Sequence, residues 1–155
     1  MVFEELEVLR EDWKTFLHRN RAILSSDEGG VIIRRDMESQ YPKNAMCADS
    51  DAAGEYDTVW EQLMIYFVFT YFCGAVYDGN AYGKMKFSLF GTLMIREISR
   101  AIGIEKQDKT TLADVEETAR RYAREIEHSD FNKKKLEEML NNEIRFGMET
   151  FLLML

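Results

Sequence analysis

Little in this chain favours turns, and it has few cysteine or histidine ligands for a metal. Among 155 residues there are one proline, nine glycines, two cysteines and two histidines. So few breakers argue against a turn-rich sandwich and for helix. Cys47 and Cys73 form no CxxC and have no histidine at metal-ligand spacing, so neither an iron–sulfur nor a zinc site can be built from this chain. Cys73 lies among large apolar residues and is expected to be a buried small hydrophobe, while Cys47, in a polar stretch, reads as a free thiol. This cysteine usage fits a reducing, cytoplasmic compartment.

An excess of positive charge is also missing. The formal net charge is −8, which argues against nucleic acid as a partner, because phosphate neutralisation needs a basic face. The basic clusters Arg120, Arg121, Arg124 and Lys133–Lys135 are interleaved with glutamates and read as solvated helix faces. The first residues, Met1-Val2-Phe3-Glu4-Glu5, carry acid where a signal peptide carries base. The most hydrophobic stretch, Leu63 to Tyr77, is shorter than the ~20 residues of a membrane span and reads as a core helix, with no membrane partner expected.

What is present is hydrophobicity at helical spacing, and the fold expected is all-α: one domain, 1–155, a helical bundle around a buried apolar helical hairpin. The first helix should run from Val2 to Leu24, with Val2, Leu6, Leu9, Trp13 and Phe16 in one stripe. Residues 25–55 hold Gly29-Gly30, Pro42 and Gly54 and only one apolar run, Val31-Ile32-Ile33. They are expected to be an irregular, partly disordered loop, with a functional lid as the alternative. Asp57–Tyr77 is apolar on nearly all faces and should be covered all round. Asp78-Gly79-Asn80 stops it, and a second helix, Ala81–Ile102, should return antiparallel, with Gly83 and Gly91 allowing close approach. Thr111 and Asp114 resemble a capping box for a helix ending near His128, and Ser129 or Asp130 can cap the next. The apolar tail, Ile144 to Leu155, is read as closing the core, with a homo-oligomer contact as the alternative.

No complete active site is legible, and no catalytic residue is assigned. Glu125-x-x-His128 would place both side chains on one helix face, as di-iron carboxylate bundles require, but those need two such motifs and the other histidine, His18, lacks one. Arg96, in an apolar stretch, needs a carboxylate partner if it points inward, with Glu61 and Glu125 as candidates. Asp78 is most simply a turn former. Tyr66, Tyr71, Tyr77 and Tyr82 bring hydroxyls to the hairpin, where they staple the core or line a pocket.

The run Glu61-Gln62-Leu63-Met64-Ile65-Tyr66-Phe67-Val68-Phe69-Thr70-Tyr71-Phe72 resembles a segment of the flagellin lysine-N-methylase family. So do Ala75-Val76-Tyr77-Asp78-Gly79, Lys86-Phe87-Ser88 and Leu93-Met94-Ile95-Arg96-Glu97. A further block, Ala119 to Asp130, resembles the family's C-terminal helical signature, its polar residues included. The resemblance covers Glu61 to Asn132 in order. It implies methyl transfer to flagellin lysines, with S-adenosylmethionine as donor and an iron–sulfur cluster in a cysteine-rich N-terminal region that has no counterpart in this sequence.

The chain is therefore expected to be a helical module that supports or recognises a lysine substrate, with no metal site of its own. Its implied partners are flagellin or a catalytic N-terminal region. Tyr66, Asp78, Arg96, Glu125 and His128 are the polar residues that the resemblance carries over as substrate-binding candidates. Glu125 or Asp78 is suited to hold a lysine ammonium, and His128 to accept its proton. A non-enzymatic helical interaction or ligand-binding domain is the other class.

Overall fold

The computed structural model describes residues 5–26, 56–142 and 146–152. Of the expected loop, 25–55, Ser25 and Ser26 belong instead to the first helix, and residues 27–55, with Cys47 and the Val31-Ile32-Ile33 run, lie outside the described residues, as do Val2 and the last residues of the tail. Among the described residues there is no strand, and the all-α expectation holds. The helices are α1 Glu11–Ser26, α2 Asp57–Tyr71, α3 Ala75–Asp78, α4 Ala81–Lys106, α5 Leu112–Tyr122, α6 Asp130–Leu140 and α7 Met148–Leu152. A 3-10 turn, Phe72–Gly74, joins α2 to α3, and a π turn, Ala123–Glu127, extends α5.

The core helix is α4, and α1, α2, α5, α6 and α7 all pack on it. Phe87, Leu89, Phe90, Leu93, Ile95 and Ile98 are buried along it. The turn before it follows from local chemistry. Gly79 takes φ 71°, which closes α3, and the Asn80 side chain accepts the Gly83 N–H to cap α4. α2 and α4 then run antiparallel in register about this turn: the Tyr71 ring meets Phe87, and Met64 meets Thr92. At Gly91 a side chain is missing where Phe67 needs room. A Cβ there would sit 3.0–3.2 Å from the Phe67 ring, so the glycine sets the closeness of the hairpin. α4 runs through Gly103, the expected stop, to Lys106, because Gln107 supplies the left-handed residue instead (φ 54°).

One expectation about α2 is corrected. It is not enclosed: of its residues only Phe67 is fully buried, while Val59, Trp60, Leu63, Met64 and Tyr71 are partly covered by the core. Ile65, Tyr66, Phe69, Phe72, Val76 and Tyr77 are exposed. A lone apolar helix can bury only the face its neighbours cover, and the described residues cover one. Cys73, expected inside, is exposed on the other face. The continuous helical run, Asp57–Asp78, ends one residue beyond the expected Tyr77; its 22 residues, unlike the Leu63–Tyr77 stretch alone, are long and apolar enough to cross a membrane, by length and composition only.

The first helix starts nine residues later than its stripe suggests, at Glu11. Residues 5–10 instead form an arm whose backbone is taken by side chains elsewhere. Glu7 N–H donates to Asn132 Oδ1 at 2.7 Å, and Leu9 N–H to Glu125 Oε2 at 3.0 Å. Leu6, Trp13 and Leu17 carry the buried stripe, and Leu9 is exposed. The capping box is present at α5: the Thr111 hydroxyl accepts the Asp114 N–H, and the Asp114 carboxylate accepts the Thr111 N–H at 3.0 Å. Ser129 caps α6 by accepting the Asn132 N–H at 3.1 Å. α6 stops at Asn141, and in the tail Phe151 is buried in the core with its ring stacked near Phe146.

Candidate functional site

Where the π turn meets α2, a carboxylate is held by phenols. The Tyr71 hydroxyl donates to Glu127 Oε1 at 2.7 Å, and the Tyr66 hydroxyl to Oε2 at 3.3 Å. Both hydroxyls reach Glu127 because Tyr66 and Tyr71 flank Phe67, whose ring packs against each of them and, edge-on, against Tyr122. The opposite wall is Phe87 of α4, 4.7 Å from the Tyr71 ring. Burial, followed by Glu127 as hydrogen-bond acceptor and negative charge, pushes the Tyr71 phenol far above its ordinary value. Tyr66 is raised more modestly, again by burial first and then by Glu127. Glu127 enters none of the ion pairs among the described residues. Its charge is met by neutral donors alone. Such a site can take a cation: a carboxylate for a charge-assisted hydrogen bond, with aromatic faces beside it.

Of the five residues expected to bind substrate, only Tyr66 is in this cluster. Glu125 is buried. Its Oε2 accepts from Leu9, its Oε1 has no hydrogen-bond partner, and its backbone carbonyl accepts from Asn132 Nδ2 at 2.7 Å. His128 is exposed and ends the turn, its N–H bonded five residues back to the Ala123 carbonyl at 3.0 Å. That i to i−5 bond explains the lost pairing. A π turn winds wider than an α turn, so residues three apart no longer share a face. The Glu125/His128 pair is thus not assembled.

Asp78 forms the turn, as read from sequence. Its carboxylate accepts the Asn80 N–H at 2.9 Å and lies 2.9 Å from the Lys84 ammonium. The Asn80 bond first, and then Lys84, hold it below its ordinary value. Lys84 also binds Glu137 at 2.7 Å, tying the hairpin end to α6. Arg96 reaches neither Glu61 nor Glu125 and lies 3.7 Å from Glu97 on its own helix.

Sequence reasoning did not single out Glu127, which was one glutamate among many on a charged face. The signal was the tyrosines, since buried phenols need acceptors. Lys86 was likewise missed. It is fully buried in α4, donates to the Phe146 carbonyl at 3.1 Å and lies 4.6 Å from the Tyr82 ring centre.

An iron–sulfur cluster does not fit the described residues. No three His, Cys, Asp or Glu side chains among them group to hold a metal, and Cys73 stands alone. Nor do the described residues assemble a di-iron ligand set. Two open depressions, of about 240 and about 450 Å³, are both lined in part by Glu5. None of the five expected residues lines them.

No curated protein and no solved structure matches this chain. A family model does, described as the FliB lysine N-methylase C-terminal domain, over residues 1–154. The match extends the resemblance read over Glu61 to Asn132 to almost the whole sequence, including the 27–55 stretch. The chain belongs to the FliB lysine N-methylase C-terminal domain family.

Proposed function

We propose that this chain is the substrate-side module of a FliB-type lysine N-methylase, which recognises a lysine-bearing protein while a separate catalytic region supplies the methyl-transfer chemistry. Flagellin is the substrate the family name suggests, and a cytoplasmic setting suits the cysteine usage. The observation that carries the reading is Glu127, a carboxylate oriented by Tyr66 and Tyr71 and paired with no cation among the described residues. A lysine ammonium entering there would exchange neutral donors for a charge-assisted bond beside the Tyr66 ring. Glu125 and His128 drop out as recognition groups in this reading, because one is committed to the Leu9 amide and the other lies on a different face. S-adenosylmethionine and the iron–sulfur cluster belong with the catalytic region.

The test is binding of flagellin to the purified chain before and after chemical acetylation of the flagellin lysines. Binding should require free lysines, and Glu127→Gln should weaken it about tenfold, or about 1.4 kcal/mol, while leaving the fold intact. Equal binding by the acetylated protein or by the variant would overturn the reading. So would methyl transfer from labelled S-adenosylmethionine by this chain alone.

The exposed face of α2 favours a second reading, a non-enzymatic helical interaction domain. It predicts flagellin binding that is indifferent to lysine acetylation.

A further inference from the structure

The apolar residues exposed on α2 and its continuation lie in an ordered row. Ile65, Phe69, Phe72 and Val76 follow one another at spacings of four, three and four, with Tyr66 and Tyr77 alongside. Phe69 is 76% exposed, Val76 85% and Tyr77 92%. That spacing is the seam a helix presents to another helix. The flanks have one sign of charge. From Asp57 to Gly83 there is no lysine, arginine or histidine, while Asp57, Glu61 and Asp78 border the row and Glu127 sits behind Tyr66. The first base after it, Lys84, is held by Asp78 and Glu137.

We infer that this face docks an amphipathic helix of another polypeptide, with an apolar stripe for the Ile65–Val76 row and lysine or arginine on its flanks. The charge distribution selects this occupant over the others. An antiparallel pair of copies centred on Phe69 and Phe72 would set Glu61 of each against the Asp78–Asn80 turn of the other, acid against acid. Anionic lipid surfaces are bound through basic residues, and the segment that carries this row, Asp57 to Gly83, has none. A membrane span would have to detach Met64, Phe67 and Tyr71 from α4, where they are packed. A basic-flanked helix meets Asp57 and Glu61 on the rim, Asp78 being already paired with Lys84, and leaves the hairpin as it is.

The inference rests on the reading that the chain recognises a lysine-bearing protein, and it adds the form of that partner. Two synthetic helical peptides test it. They share one leucine seam, and one carries lysine and the other glutamate at the flanking positions. The full chain should bind the lysine peptide at least tenfold more tightly. Phe69→Asp and, separately, Val76→Asp should each weaken that binding at least tenfold, and both sites are exposed enough for the fold to persist. Glu61→Gln should narrow the preference between the peptides.

Equal binding of the two peptides, or none, would overturn the inference. So would a stable dimer in sedimentation that Phe69→Asp dissolves, which gives the face to a second copy. Vesicle binding abolished by the same substitution gives it to a membrane, and also overturns it. Flagellin binding lost in Glu127→Gln but unchanged in both α2 variants would sink this inference while sparing the lysine site. The reverse pattern would sink the lysine site and spare this one.

Discussion

At the scale of single residues, the phenols divide into those with a partner and those without. Tyr71 donates to Glu127, whereas the Tyr122 hydroxyl, fully buried against Phe67, has no hydrogen-bond partner. A bond to a charged acceptor is worth about 1.5–3 kcal/mol, and an unsatisfied buried hydroxyl costs about 1–3 kcal/mol. Tyr71→Phe should therefore lower stability by about 1–2 kcal/mol, and Tyr122→Phe should be neutral or stabilising by up to about 1 kcal/mol. Urea unfolding of the two variants checks this, and equal losses would contradict it.

Asp114 gives a pH-dependent counterpart. Burial pushes its carboxyl up, but hydrogen bonds from Lys106 and from the Thr111 amide and hydroxyl outweigh this and leave it below its ordinary value. With the folded value lowered, its contribution is complete above the unfolded value, near pH 4, and is lost as pH falls through the folded one. The stability gap between wild type and Asp114→Asn should be constant from about pH 5 to 7 and close below about pH 4. A gap independent of pH would show that the capping geometry matters and the charge does not.

At the scale of elements, what was legible in the sequence is what short-range chemistry decides. Gly79 with its flanking Asp78 and Asn80, the Thr111/Asp114 box and the Ser129 cap all lie within one turn of the bonds they make, and all are present. The elements misread depend on distant groups. α1 starts late because Asn132 and Glu125, more than a hundred residues away, claim the amides of Glu7 and Leu9. The π turn, which parts Glu125 from His128 and lets Glu127 meet Tyr66 and Tyr71, leaves no periodic trace in the sequence. Gly91 shows the same dependence in energy. Helix propensity alone says that Gly91→Ala gains about 1 kcal/mol. The Phe67 ring, itself buried, stands 3.0–3.2 Å from the added Cβ, and overpacking of this kind costs about 1–3 kcal/mol. Gly91→Ala should therefore be destabilising by about 1 kcal/mol in thermal or urea unfolding, and a stabilised variant would mean that the hairpin can open without cost.

At the scale of the whole molecule, the arm, the π turn and α6 are joined at one side chain. Asn132 is fully buried; its Oδ1 accepts from Glu7 N–H at 2.7 Å, and its Nδ2 donates to the Glu7 and Glu125 carbonyls at 2.8 and 2.7 Å. From α6 it thus satisfies three backbone groups of two other segments that nothing in their local sequence would bring together. Asn132→Ala removes all three bonds and leaves the Glu125 carbonyl, on a turn whose Glu125 and Ile126 are buried, without that donor. The expected cost is about 2–4 kcal/mol, at the upper end for a single polar truncation. Because the arm has few other ties, the loss should be uneven. Amide exchange at Glu7 and Leu9 should rise by more than the global loss explains, while amides in the middle of α4 follow the global change. The Tyr71 bond to Glu127 lies on the other side of the π turn, so if the turn is set by α5 and α6 alone, lysine binding at Glu127 should survive the variant. If binding falls with the arm, the arm is part of what positions Glu127, and the recognition site extends to residues 5–10, ahead of α1.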